Sequence, residues 1–230
     1  MRILQRYHTD MYRNNPDRNG DFRRPLLHVL IAALLVVVCV VSWNKFIRDE
    51  VIPRNFGVVE SGQVYRSGRL SPRMLKKVIR EYNIRTVIDL GGSEPGSSAQ
   101  KAEEDVCRET GTERYEIRLS GDGTGDPARY AEVLRIMSRE EDGPFLVHCA
   151  AGAQRTTGAI ILYESIVKGK PVLNTLRDSM KNHRHDPRDN PKLLSYLLDH
   201  IEEIRDLYRE KLKESDASAH EDKHESGGDP

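Results

Sequence analysis

Residues 26–43, LLHVLIAALLVVVCVVSW, contain no Asp, Glu, Lys or Arg. A run of that length lies near the lower limit for a helix crossing a bilayer core of about 30 Å. Phe46 and Ile47 lie just beyond it, so a tilted span is accommodated. The competing readings are a buried core helix and a cleaved signal peptide. A signal peptide would end in a small-residue cleavage pattern and have a shorter leader. The run is therefore expected to be a single-pass anchor. It separates a polar N-terminal segment, residues 1–25, from a linker over 44–54 and a folded region that follows. Arg2, Arg6, Arg13, Arg18, Arg23 and Arg24 precede the run, against Lys45, Arg48 and Arg54 after it. The positive-inside bias places the N-terminus in the cytoplasm and the main domain across the membrane.

The 230 residues leave room for one domain of roughly 150 residues with a real core. Lys plus Arg, 36, equals Asp plus Glu, 36, so no global charge draws the chain to nucleic acid and any anion must be bound locally. Three cysteines, Cys39, Cys107 and Cys149, are too few and too scattered for a disulfide framework or a zinc cluster. Cys39 falls in the apolar run, after Val38 and not after a small residue, and is read as lipid-facing or packing. Cys107, beside Val106, is read as packing rather than as a resolving thiol.

Strand and helix signals alternate from residue 55 on. FGVV and QVYRSG read as short strands. SPRMLKKVIREYN begins with Ser71 as N-cap and Pro72 at the first helical position. RTVIDL is a buried strand, SSAQKAEEDVCRETG a helix closed by Gly111, RYEIRL a strand, DPARYAEVLRIMSREEDG a helix closed by Gly143, and PFLVH another strand. The order implies crossover units and a mostly parallel central sheet flanked by helices, an α/β fold. TTGAIILYESIVKG, VLNTLRDSMKN and an amphipathic helix over about 192–212 are expected to cover one side of it. Residues 213–230 are polar, Gly-rich and without apolar period, and are expected to be disordered. The cluster KNHRHDPRDNP sets His183 and His185 two apart, as metal ligands on an extended segment would be. With no second ligand pair it reads as a solvated loop, and neither a metal nor another cofactor is expected.

The strand ending at His148 runs into a tight turn through Ala150, Ala151, Gly152, Ala153 and Gln154, and then into a helix beginning near Thr156. Such a turn aims backbone N–H groups and a helix dipole at one spot suited to a dianion. A thiolate at Cys149 would share that stabilisation and that of Arg155, lowering its pKa toward about 3.5 to 7.5. Arg155 can clamp two phosphate oxygens at once. Sulfur attack on phosphorus gives a phosphocysteine, and Thr156 can hydrogen-bond the departing thiolate in the second step. His148 is read as fixing the loop by donating to a backbone group, without touching substrate. Arg66 and Arg69 either line the site or form structural ion pairs.

HCAAGAQRT resembles the signature loop of the Cys-dependent phosphatases: His, Cys, five residues, Arg, then Ser or Thr. Five fixed positions would agree by chance on the order of 10⁻⁷ per start. VYRSGRLSP followed by IRTVIDL resembles the opening of the dual-specificity branch, especially its bacterial and its plant and fungal atypical members, and the resemblance extends over residues 55–212. It implies a phosphatase domain with catalytic Cys149 and Arg155, substrate held by residues 150–154 and Thr156, and a loop Asp as general acid upstream of the Cys. LSGDGTGDPARY offers Asp122 and Asp126. Asp122 is favoured because the Gly-rich stretch behind it would let it swing over the site, while Asp126, before Pro127, reads as a helix N-cap. The expected activity is hydrolysis of phosphotyrosine or phosphoserine/threonine on protein. Inositol phosphates, phosphoinositides and a non-catalytic phosphate-binding role are the alternatives. A sulfurtransferase also puts a reactive Cys after a strand, but Arg at six and Thr at seven suit phosphate better. Ala150, Ala151, Ala153 and Gln154 bring no positive charge, which favours phosphoprotein over polyphosphorylated inositols.

Overall fold

The apolar run forms helix α1, Arg23–Ser42. Large apolar side chains project all round it, and none of Pro25–Ser42 is buried. The helix is long and apolar enough to cross a membrane. The computed structural model describes residues 23–43, 53–182 and 188–225. The chain divides into two units, Met1–Arg48 and Asp49–Pro230. His183 and His185 lie outside the described residues, as does most of the 44–54 linker.

The second unit runs β1 (Gly57–Glu60), β2 (Val64–Gly68), α2 (Pro72–Tyr82), β3 (Thr86–Asp89), α3 (Ser98–Thr110), β4 (Glu113–Glu116), α4 (Pro127–Met137), β5 (Phe145–Cys149), α5 (Gln154–Leu162), α6 (Val172–Asn182) and α7 (Pro191–Glu225). The sheet order is β1-β2-β5-β3-β4. Among the described strands only the β1/β2 pair is antiparallel; β2, β5, β3 and β4 run parallel. Crossover helices must then cover both faces.

Local chemistry explains most of the boundaries. Ser71 Oγ accepts from the Met74 N–H at 3.3 Å, and Ser97 Oγ accepts from the Gln100 N–H at 3.3 Å; each cap contributes about 1 kcal/mol. Gly111 closes α3 in the left-handed conformation, which costs a residue without Cβ nothing sterically. On α2 the residues Met74, Leu75, Val78 and Ile79 are buried at helical spacing. They join Tyr65, Val87, Leu146 and Val106 on one face of the sheet. The opposite face carries Val64, Ile88, Phe145 and Val147 under α4, α5 and α7. That strict alternation along the strands is the pleat, and each fully buried aliphatic side chain contributes roughly 1.5–3 kcal/mol.

Several boundaries differ from the sequence reading: the strand RYEIRL ends at Glu116, and helix ends move as well. Helix α4 ends at Met137, not at Gly143. The Ser138 hydroxyl bonds back to the Arg135 carbonyl at 2.9 Å, an alternative to continuing the helix. Glu140, Glu141 and Asp142 then form a separate 3₁₀ turn, because three carboxylates at a helix C-terminus would oppose its dipole. The signature helix α5 starts at Gln154, earlier than Thr156, without a side-chain cap. Helix α7 continues past Leu212 to Glu225, so most of the tail expected to be disordered is helical. That stretch lacks apolar period but holds no Gly or Pro before Gly227, and a helix propagates through such residues once started.

Strand register sets the site. Cys149 lies opposite Gly68 on β2, and His148 opposite Asp89 on β3. The carboxyl ends of the central parallel strands therefore finish at one level, where α/β sheets gather their functional loops.

Candidate active site

Beyond Cys149, three successive carbonyls of the loop are held from outside. Ala150 O accepts from the Arg69 N–H at 3.3 Å, Ala151 O from the Asn55 side-chain amide at 2.7 Å, and Gly152 O from the Arg66 guanidinium. A trans peptide points its C=O and N–H in opposite directions, so fixing these carbonyls turns the following amides inward. The Gly152 N–H lies 3.2 Å from Cys149 Sγ. Gly152 itself has φ +69°, and a Cβ there would lie 2.4 Å from Gly68 N. Only glycine lets the loop lie against the end of β2.

Cys149 is buried. Burial pushes its thiol pKa up. The Thr156 hydroxyl and N–H, the Arg155 charge and the Gly152 N–H outweigh it and hold the thiol below its ordinary value. Arg155 Nη1 donates to Leu90 O at 3.2 Å and to Gly91 O. Its Nε is buried with no partner among the described residues. A buried donor without an acceptor carries the cost of desolvation, and an anion in the loop would remove it. Arg66 is fully buried and also donates to Thr157 Oγ1 at 3.2 Å. Among the described residues it makes no ion pair; it braces the loop from beneath. Arg69 Nη1 donates to Gly92 O and Ser93 Oγ at 3.0 and 3.2 Å, tying β2 to the turn after β3.

His148 faces the other side of the sheet. Its Nε2 lies 3.2 Å from Glu103 Oε2 on α3, both side chains buried, so its partner is a carboxylate and not the backbone group expected. Burial lowers the His148 pKa, but the Glu103 charge and hydrogen bond raise it further. For Glu103 the order is mirrored: burial raises, His148 and Arg114 lower, and the carboxyl ends well below its usual range. The pair is ionic. Asp89, Glu103 and His148 bring donor atoms within 4.8 Å of one another, as metal ligands would. Arg114 already bridges Asp89 at 2.9 Å and Glu103 at 2.8 Å, so the cation among these carboxylates is a guanidinium. The raised His148 contributes stability that is full below about pH 6.5 and lost as pH rises through its folded pKa; the lowered Glu103 contributes above about pH 4.3 and loses it as pH falls. Glu103→Gln is expected to destabilise the domain by roughly 3–5 kcal/mol. In thermal unfolding against pH, the gap from the parent chain should be widest between about pH 4.3 and 6.5 and narrow on either side.

The Asp126 side chain caps α4, accepting from the Ala128 N–H at 2.9 Å. Asp122 is exposed, and its Oδ1 accepts from the Thr124 hydroxyl at 2.8 Å and N–H at 3.1 Å. Those bonds hold its carboxyl below the usual range. Gly123, with φ +79°, brings the loop onto the signature turn: a Cβ there would lie 3.2 Å from the Gln154 carbonyl carbon and 3.0 Å from Leu193 Cδ1. The structure thus gathers Cys149, Arg155, Thr156 and the Asp122 loop at one end of the sheet, with His148 behind it.

No family model matches this chain, and no curated protein does. Solved structures do. P. aeruginosa TpbA superposes with a TM-score of 0.56 at 18% identity, covering 68% of this chain and 91% of that one. The core catalytic domain of the PP-IP phosphatase SIW14 from S. cerevisiae gives 0.54 at 18% identity, over 69% and 93%. PTPMT1 gives 0.52 at 17% identity, over 65% and 95%. The fold is that of the Cys-dependent phosphatases.

Within the phosphatase fold, sequence reasoning located the loop but not its supports. Asn55 has a left-handed backbone, φ 47°, and Asn tolerates that conformation well, yet nothing in its surroundings marks it as holding a carbonyl 96 residues away. Glu103 offered one signal, an acid on the apolar stripe of α3 beside Val106 and Cys107. Cys107 is buried there, and its thiol is pushed up to about 11, chiefly by burial, the setting of an inert packing cysteine.

Proposed function

We propose that this chain is a phosphatase that hydrolyses phosphate monoesters through a phosphocysteine at Cys149, anchored in a membrane by residues 26–43. The observation that carries the reading is a thiol held below its ordinary pKa by the Gly152 and Thr156 N–H groups, with the buried Arg155 Nε beside it facing no partner among the described residues. Amides and guanidinium bind the equatorial oxygens of the phosphoryl group, the thiolate attacks in line, and Asp122 gives a proton to the leaving oxygen. Water then cleaves the phosphocysteine, with Asp122 as base and Thr156 hydrogen-bonding the thiolate that departs. Residues 150–154 form the cradle and His148 supports it. Neither metal nor other cofactor enters this scheme.

The preferred substrate is phosphotyrosine or phosphoserine/threonine on protein, because the loop positions carry no added positive charge; TpbA has been solved in complex with pTyr. A cavity of about 300 Å³ beside Ala150, lined in part by Arg54 and Arg69, favours a second reading in which the substrate carries further phosphates, as inositol phosphates and phosphoinositides do. The domain limits, 55–212 for the phosphatase and 213–230 for a tail, and the orientation, N-terminus cytoplasmic and catalytic domain opposite, belong to the same proposal. A topology reporter at the C-terminus checks the last.

The full chain and a chain lacking residues 1–48 are both expected to hydrolyse an aryl phosphate, the shorter one without detergent. Acid quench during turnover of a ³²P-labelled substrate should trap label on Cys149. Absence of hydrolysis would leave a phosphate-binding module instead, and aggregation of the shorter chain would assign the apolar run to the core.

A further inference from the structure

The Gly-rich segment that carries Asp122 suggests a swinging loop, yet its backbone is held. Three side chains donate to three of its carbonyls. Tyr130 Oη, on α4, donates to Gly123 O at 2.6 Å; Asn190 Nδ2 donates to Asp122 O; Tyr196 Oη, on α7, donates to Gly125 O at 2.8 Å. Leu193, also on α7, packs under Gly123. We infer that Asn190 and Tyr196, at the start of α7, are positioning residues that fix the Asp122 loop over the signature turn, so that the acid is delivered by a side-chain rotation and not by a loop swing. This inference rests on the reading of Asp122 as general acid.

The chemistry of the clamp is specific. Every contact is a side-chain donor to a backbone carbonyl, so each restrains the loop and none competes for the Asp122 carboxylate. Gly121, Gly123 and Gly125 leave this segment with unusual backbone freedom, and ordering such residues costs conformational entropy. A loop left free would hold its acid over the site only part of the time. Asn190 is buried, and its own carbonyl accepts from the Leu193 N–H at 3.3 Å as α7 begins, while its side chain reaches across to Asp122. The Tyr196 ring stacks on His200, 4.4 Å between centroids, which fixes the direction of its hydroxyl. With the backbone pinned, Asp122 keeps only its side-chain torsions. One setting is the bond to Thr124; release from Thr124 turns the carboxyl toward a bound ester.

The test uses the full chain and a series of aryl phosphates whose leaving groups run from about pKa 7 to about pKa 10, the tyrosine value. Asn190→Ala and Tyr196→Phe are expected to lower kcat/KM roughly 10-fold for the poorest leaving group and about twofold or less for the best, since misplacing an acid costs most where the proton matters most. Tyr196→Phe removes one oxygen and keeps the ring, so it reports even if Asn190→Ala folds poorly. Each change is then combined with Asp122→Asn. If the clamp acts through Asp122, the double variants fall no further on the poor leaving group than Asp122→Asn alone. An equal loss across the whole series, or full additivity in the double variants, would overturn the inference while leaving Asp122 its role. An Asp122→Asn enzyme with no leaving-group dependence would overturn both.

Discussion

Cys149→Ser is expected to reduce kcat/KM on an aryl phosphate by a factor on the order of 10⁴ or more, with binding of inorganic phosphate kept or tightened. The loop is built to stabilise a thiolate: the Thr156 hydroxyl and N–H, Arg155 and the Gly152 N–H all favour the charged sulfur. A serine hydroxyl does not ionise near neutral pH, so the same surroundings cannot turn it into a nucleophile. The inward amides and Arg155 remain, and the dianion no longer meets a negative sulfur beside it. Steady-state kinetics and titration calorimetry with phosphate measure the two effects. Near-normal turnover by the serine variant would sink the cysteine mechanism.

Asp122→Asn should slow a tyrosyl or alkyl phosphate by roughly 10²- to 10⁴-fold and an activated aryl phosphate less, because a general acid assists the departure of a poor leaving group. The pH dependence follows from the Thr124 bonds that hold the Asp122 carboxyl below its usual range. A lowered pKa means that the acid form is lost earlier as pH rises, so the alkaline limb for poor leaving groups should fall at acidic pH. Asn at this position carries no titrating proton and should flatten that limb. Asp126→Asn should leave both the rate and the profile near those of the parent chain, since Asn caps a helix about as well as Asp. A leaving-group-dependent defect in the Asp126 variant and none in the Asp122 variant would exchange the two roles.

What could be read ahead of the structure was what neighbouring residues decide among themselves. Ser71 with Pro72, the sequence from Ser97 to Gly111, and the apolar PFLVH each state their conformation within a few residues, and HCAAGAQRT states its chemistry within nine. The supports of the loop could not be read that way. Asn55, Arg66 and Arg69 reach Ala151, Gly152 and Ala150 through the β2/β5 pairing, and Asn190 reaches Asp122 from the start of α7. Each partner is chosen by strand order and helix packing, which no local window contains. The overrun of α7 to Glu225 has the opposite cause. Burial predicts a helix by its apolar stripe, and a stretch that is helical only because nothing breaks it has no stripe to read.

Arg66 links the signature loop electrostatically to the interior. Its guanidinium is fully buried, bonded to a carbonyl and a hydroxyl and, among the described residues, to no carboxylate. Burial drags its pKa down to about 10, and the Cys149 charge is what draws it back up. A charged Cys149 sulfur thus also favours the charged form of a guanidinium in the interior, and that support is lost when the sulfur is protonated or alkylated. On the proposed mechanism, nucleophile and scaffold share one electrostatic account: a phosphoryl dianion held in the loop brings negative charge to the side of the same buried guanidinium.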